Sequence, residues 1–216
     1  MLNKFISELV VLKALFGTKY INDNFNRINA IYETTEKLWQ EQIVTLPESG
    51  IKYLLIAEAP PFSPEGSVKN VYNPESEART LLKSLCKAFF SEPLYNVIGN
   101  KKTLYRLSSL GLLIVDSLPF AMGYSAKRGS DKYRELVRLC VYSYMLPKIN
   151  REDLNWSLGL KVGFAFKRNA LTIMDALKDG LFIQKLGKPT VFNTNMIVAN
   201  DAGYPDANKI IRVFDL

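Results

Sequence analysis

The stretch IKYLLIAEAPPF, residues 51–62, decides how this chain is read. Tyr53 to Ala57 is uniformly apolar and lacks the alternation of a strand with one wet face. It predicts a strand covered on both sides, as in a parallel sheet flanked by helices. The run stops on a carboxylate, Glu58, and Pro60 and Pro61 follow closely. A proline cannot donate a ladder hydrogen bond, so the chain must leave the sheet near Glu58. A carboxylate where a central strand ends is placed for chemistry.

The pattern recurs downstream. Leu112-Leu113-Ile114-Val115 stops on Asp116, with Pro119 close behind. A third strand is predicted over Leu160 to Phe166, ahead of Lys167-Arg168-Asn169, and a fourth over Thr190 to Ala199, ahead of Asn200 to Asp206. Helical patterns separate them. Asn73-Pro74-Glu75 offers an N-cap, a first-turn proline and an acid before the face Ala78, Leu81, Leu82, Leu85 and Phe89. Ser130-Asp131 can cap a helix with Tyr133, Leu136, Val137, Cys140 and Tyr144 on one face and Pro147 at its close. A short helix through Leu177 stops at Gly180. Upstream, Leu2 to Phe16 and Asp23 to Ile43 read as helices that end before Pro47 and Gly50.

Strands that alternate with helices imply right-handed crossovers and a mostly parallel sheet. The expected architecture is one α/β domain over residues 1–216. Residues 1–49 form a helical N-terminal layer, and residues 50–216 form a three-layer α/β/α sandwich around a four-stranded sheet. Ligands of such sheets bind beyond the carboxyl ends of the strands. Glu58, Asp116, Lys167-Arg168 and residues 200–206 are therefore expected to converge on one crevice.

Composition narrows the chemistry. The 216 residues include no histidine and two cysteines. Histidine triads, histidine metal ligands and zinc or iron-sulfur sites are thereby excluded, and no metal or cofactor is expected. Cys86 and Cys140 lie within apolar helical patterns and read as buried thiols. A formal charge of +7 favours polyanionic partners. No apolar run approaches the roughly 20 residues of a membrane helix, and no signal peptide is evident. The expectation is a soluble cytoplasmic protein without a membrane partner. GxGxxG and GxxxxGK[ST] are both absent, which removes the usual phosphate-cradling loops.

Each candidate residue has a functional and a structural reading. Glu58 can serve as a general base or water-positioning carboxylate, or it can cap backbone and pair with a cation. Asp116 can accept hydrogen bonds from a ligand or cap the turn at Ser117. Tyr72 can stack on a planar ligand or pack in the core. Lys127-Arg128 and Lys167-Arg168 can hold phosphates near the crevice or form solvated surface, whereas Lys101-Lys102 and Arg106 fit plain surface.

Ala57-Glu58-Ala59-Pro60-Pro61 resembles the first motif of the uracil-DNA glycosylase-like superfamily, in the branch where it reads GEAPG. The central three residues match and both flanking glycines are replaced. The resemblance implies a four-stranded parallel sheet with helices on both sides, and a water-activating or water-positioning role for Glu58. The superfamily's second strand typically ends in a base-reading Asn, where this chain has Asp116, which accepts but cannot donate when ionised. Val162 to Lys167 resembles the third strand. The final motif, usually HPS, falls on Asn200-Asp201-Ala202 or on Tyr204-Pro205-Asp206, and the supporting histidine is missing.

The implied mechanism flips a damaged or deaminated base out of DNA into a pocket between the strand ends. Lys127, Arg128, Lys167 and Arg168 would hold phosphates, and Tyr72 or Phe62 would stack on the base. Asp116 and Asn200 would bond its edge while Glu58 orients water at the sugar carbon. Two alternatives remain open. The chain is a nucleic-acid-binding module of the same architecture without catalysis, or an unrelated α/β enzyme acting on free nucleosides or nucleotides.

Overall fold

The computed structural model of the chain describes residues 1–63, 71–73, 75, 80–199 and 205–216. The stretch that opens the sequence reading forms β1 (Ile51–Ala57), the centre of a three-stranded parallel sheet in the order β2-β1-β3. β2 is Leu112–Asp116 and β3 is Trp156–Phe164. Leu54, Leu55 and Ile56 are fully buried, as expected of a strand covered on both faces. Gly50 and Gly111 precede β1 and β2 at φ +90° and +88°. A Cβ on Gly111 would stand 3.0 Å from backbone at Gly50 and Lys52, so the close approach of the two strands requires glycine there.

Two helices precede the sheet, α1 (Ile6–Phe16) and α2 (Thr18–Ile43). Two more, α3 (Thr80–Phe90) and α4 (Leu94–Ser109), form the crossover from β1 to β2. The crossover from β2 to β3 carries α5 (Asp131–Cys140), a π turn at Val141–Met145 and α6 (Leu146–Ile149). The Ser130 hydroxyl accepts from the Tyr133 N–H, which is the predicted cap. Pro147 does not end this segment as expected. α6 follows the π turn directly, and Pro147 holds its second position, after Leu146, whose N–H still bonds back to Val141 O.

Side chains alternate between the faces of β1. Tyr53 contacts Phe89 of α3, and Phe214 of α8 (Ala207–Phe214), at centroid distances of 5.3 and 5.2 Å. Tyr53, Leu55 and Ala57 therefore share the face covered by α3 and α8. The opposite face belongs to Leu54, Ile56 and, one residue past the strand, Glu58. There α5 packs on α1 and on α7 (Lys167–Ala176). One hydrophobic cluster runs from Leu2 to Phe214. Full burial of a Leu, Ile or Phe contributes about 1.5–3 kcal/mol each, so this cluster dominates the stabilising side.

The expected fourth strand over Thr190 to Ala199 is not present as such. Pro189–Thr190 (β5) pairs antiparallel with Leu181–Phe182 (β4) in a separate two-stranded sheet. A 3-10 turn at Thr194–Met196 follows, where the Asn193 side chain accepts from the Asn195 N–H at 2.9 Å. That local bond competes with extended pairing. Among the described residues the parallel bridge Phe164↔Ile197, with the Val198 N–H donating to Phe164 O at 2.9 Å, stands beside β3 in its place. The sequence pattern predicts neither α4 nor α8. Gly99 breaks the periodicity of α4 with a φ of 77° inside it.

Candidate active site

Glu58 is 6% exposed at the carboxyl end of the central strand. Its backbone carbonyl accepts from the Leu118 N–H at 2.8 Å and from the Ser117 hydroxyl at 3.0 Å, which locks it to the turn after β2. Two side chains converge on its carboxylate. Arg128 donates from Nε to Oε1 at 2.7 Å and from Nη2 to Oε2 at 2.5 Å, and the Tyr133 hydroxyl donates to Oε1 at 2.5 Å. The cluster continues to Asn169, fully enclosed near the start of α7. Its Nδ2 donates to Ser117 Oγ at 2.9 Å and to Tyr133 Oη at 3.4 Å. Groups that follow β1, β2 and β3 are thus joined in one hydrogen-bonded set.

The electrostatics follow from burial and pairing. Desolvation raises the Tyr133 phenol well above its ordinary value, and the charge of Glu58 adds to the shift. Desolvation likewise raises Tyr124, whose ring lies 5.7 Å from that of Tyr133, with smaller contributions from Cys140 and Glu58. The hydrogen bonds to Glu58 raise Arg128 further above the usual guanidinium value. Arg128 also lies over the Phe166 ring at 5.1 Å. A carboxylate offers about four lone-pair directions. Three are taken on Glu58, which leaves one direction, on Oε2, without a donor among the described residues.

Of the residues predicted for this site, Arg128 contacts Glu58, and Lys127, Lys167, Arg168 and Phe62 lie on neighbouring segments without a contact to its carboxylate among the described residues. Lys127 is half-buried with its ammonium 6.0 Å from the Phe16 ring. Lys167 and Arg168 are exposed at the start of α7, and an Arg168 Nη1 lies 3.6 Å from where a Cβ on Gly129 would stand. Phe62 is half-buried beside Gly123 in the loop after β2. Arg128 departs from its expected role. Its fork is committed to Glu58, and its side chain is 23% exposed, so the phosphate contact expected of it is replaced by an internal pair.

Asp116 and Tyr72 do not join the site. Asp116 is the register partner of Ala57 and takes that residue's face of the sheet, opposite Glu58. Its charge is felt by Tyr72, Tyr144 and Lys148. Tyr72 is 6% exposed, and its hydroxyl accepts from the Ile114 N–H at 2.7 Å and donates to Ile114 O at 3.0 Å. It caps the outer edge of β2 and is too enclosed to stack on a ligand. Asn200 and Tyr204, the two registers of the expected final motif, lie outside the described residues.

A second cluster of similar composition lies between α2 and the α5–α6 turn. Lys148 donates to Glu36 Oε1 at 2.8 Å, and the Tyr144 hydroxyl donates to the same oxygen at 2.7 Å. The ammonium sits 4.0 Å from the Trp39 ring centroid, and burial lowers its pKa. Among the described residues no group of three or more Asp, Glu, Cys or His side chains could hold a metal, and no helix is long and apolar enough to cross a membrane. Both cysteines are buried and free.

Tyr133, Asn169 and Ser117 belong to the Glu58 cluster, and the sequence pattern does not single them out. Tyr133 belongs by periodicity to the apolar face of α5, and its ring lies there, but its hydroxyl reaches Glu58. Asn169 and Ser117 each lie within a few residues of a strand end, and that position is the one signal they carry. No protein-family model, curated protein or solved structure matches this chain.

Proposed function

We propose that the chain is a divergent DNA glycosylase-like hydrolase of the uracil-DNA glycosylase-like superfamily, with a three-layer α/β/α core, that cleaves the N-glycosidic bond of a flipped, damaged or deaminated base. The observation that carries this is the buried Glu58 carboxylate at the end of the central strand, held on three sides and with one acceptor direction left on Oε2. That direction would orient a water toward the sugar carbon, and the carboxylate would stabilise the oxocarbenium-like charge as the bond breaks. Lys127, Lys167 and Arg168, on segments beside the cluster, would supply contacts for phosphates, and Phe62 would meet a base. Asp116 has no part in this chemistry because it addresses the other face. Asn200 enters only through the resemblance.

One observation favours a second reading, a nucleic-acid-binding module without catalysis. Arg128 and Tyr133 already engage most of Glu58, as in a structural ion pair. The two are separated by incubating the protein with oligonucleotides containing uracil or hypoxanthine, cleaving abasic sites with alkali, and measuring affinity in parallel. Base release by the natural chain that is lost in Glu58→Gln with binding retained supports the hydrolase. Binding without release supports the module. Neither binding nor release discards both.

A further inference from the structure

The positive charge of the chain is not spread evenly over its helices. α5 carries Lys132, Arg134 and Arg138, and each meets a carboxylate, Glu135, Asp131 and Asp175 in turn. α3 and α8, which cover the other face of the sheet, are built differently. Leu82, Leu85 and Cys86 of α3 and Ile210 and Phe214 of α8 are buried, and the charged residues left outside are Lys83, Lys87, Lys209 and Arg212, with no acid in either helix. None of these four cations forms an ion pair among the described residues. Lys209 donates to Ala199 O at 2.8 Å, while Lys83, Lys87 and Arg212 are exposed.

Two grooves flank α8. One, of about 670 Å³, holds Lys161, Lys209 and Arg212, and the other, of about 350 Å³, lies between α3 and the start of α8 and holds Lys83 and Lys87. The described acids beside them are already engaged. Asp206 lines the smaller groove and caps α8 by accepting from the Asn208 and Lys209 N–H groups, and Asp215 pairs with Lys161 at 3.0 Å. Among the described residues neither groove is lined by an aromatic ring, and no large apolar side chain of α3 or α8 is exposed. A protein partner would need an apolar core to its interface, and a single strand would need rings on which to stack. A duplex needs neither, because phosphates supply most of its affinity.

We propose that α3 and α8 form a second nucleic-acid surface, which grips the phosphates of a DNA duplex on the sheet face opposite Glu58. Lys83 and Lys87 lie four residues apart and Lys209 and Arg212 three apart, so each pair shares one face of its helix. α3 and α8 are in contact. Packed helices stand about 8–10 Å apart, and the grooves of B-DNA are about 6 and 12 Å wide, so the two pairs suit the phosphates of the two strands that border one groove. Phosphate contacts position a duplex without reading its bases, so this surface holds DNA of any sequence. It rests on none of the chemistry proposed for Glu58 and stands apart from the Lys167-Arg168 rim.

The test uses the full chain, a fluorescent mixed-sequence duplex and a variant that combines Lys83→Ala, Lys87→Ala and Arg212→Ala. All three changes fall on exposed side chains, and circular dichroism should show the fold intact. By anisotropy the variant should bind the duplex about tenfold more weakly, and its slope of log affinity against log salt should flatten by about 0.9 for each phosphate no longer neutralised. A second measurement needs no variant. Amine-reactive labelling read by mass spectrometry should show Lys83, Lys87 and Lys209 protected in the complex. Absence of duplex binding overturns the proposal, as does an unchanged slope or full labelling of these lysines with duplex bound. Binding to phosphatidylserine vesicles or to polyglutamate that depends on the same residues, where the duplex fails, overturns it in favour of a membrane or an acidic protein. Duplex binding through these residues without base release keeps this surface and discards the hydrolase, whereas base release with an unchanged slope in the variant keeps the hydrolase and discards this surface.

Discussion

Glu58 and Glu36 keep the same kind of company in different places. Each accepts from a cation and from a tyrosine hydroxyl, Arg128 and Tyr133 in one case, Lys148 and Tyr144 in the other. Glu58 follows the central strand, and its network reaches Ser117 after β2 and Asn169 after β3. Glu36 lies within α2, and its network ties that helix to the α5–α6 turn under the Trp39 ring. The cations differ too, because a guanidinium fork fixes a carboxylate in two directions whereas an ammonium is a point charge. Composition alone therefore does not make a site. One cluster joins three strand ends, and the other staples helices.

The sharpest way to break this contrast is to remove Glu58. Glu58→Ala leaves the half-buried Arg128 and the fully buried Tyr133 hydroxyl without their acceptor, and the loss should be about 3 kcal/mol because breaking a buried pair costs more than the pair is worth. Thermal unfolding should show a midpoint lower by roughly 6–12 °C for a chain of this size. Base release should vanish in the same variant. Glu58→Gln, which keeps the shape, should unfold closer to the natural chain while still failing to release base. If it keeps full activity, the carboxylate has no chemical role.

Lys148→Met is the matching change in the other cluster. Glu36 is 24% exposed and can recover water, so the loss should be about 1–2 kcal/mol. Nucleic-acid binding and base release should be unchanged. A Lys148→Met protein that folds but has lost either one would erase the distinction between site and staple.

Tyr133→Phe probes the same site more gently. Loss of a hydrogen bond to a charged acceptor should cost about 1.5–3 kcal/mol near neutral pH. The folded-state pKa of Tyr133 is raised above its ordinary 10.0 by burial first and Glu58 second. Its protonated form is thus favoured by folding, so the contribution is complete below pH 10 and fades as pH climbs toward the raised folded value. Denaturant titrations from about pH 9 to about pH 11 should show stability falling less steeply in Tyr133→Phe than in the natural chain. Equal slopes would mean that the hydroxyl is not enclosed as described.

The smallest effect on stability should come from the rim. Lys167→Ala with Arg168→Ala changes exposed side chains and should leave the unfolding midpoint within experimental error. If the pair holds phosphates, affinity for duplex DNA should fall. The slope of log affinity against log salt should become shallower by about 0.9 for each phosphate no longer neutralised. An unchanged slope would detach these residues from the Glu58 site.

Much of the frame is legible in the amino-acid order. β1 runs Ile51–Ala57 and β2 runs Leu112–Asp116, as the uninterrupted apolar runs require, and Ser130 caps α5. Helix α8 carries a signal of its own, since Asp206 Oδ1 accepts from the N–H groups of Asn208 and Lys209 ahead of an amphipathic run. The loop-like composition of Asn200 to Asp206 masks that cap. The fourth strand fails because Asn193 offers its backbone a local partner, which apolar patterning over Thr190 to Ala199 does not reveal. Glu58 stands out because a carboxylate interrupts an apolar run. Its pairing with Arg128 joins residues 70 positions apart and has no local signature. Tyr72 shows the same limit, since nothing in a tyrosine's sequence neighbourhood separates a stacking ring from one that caps a strand edge.

The amino-acid order by itself determined a buried central strand, the acid at its end, the helices that cross over the sheet and the exclusion of histidine chemistry. These follow from local propensity and apolar periodicity, which act over a few residues. The tertiary structure decided that Asp116 and Glu58 face opposite sides, that Arg128 serves the carboxylate, and that Tyr72 caps Ile114 at the β2 edge. Each of these depends on strand register and long-range packing, and a shift of a single residue in register would reverse the face that every side chain takes.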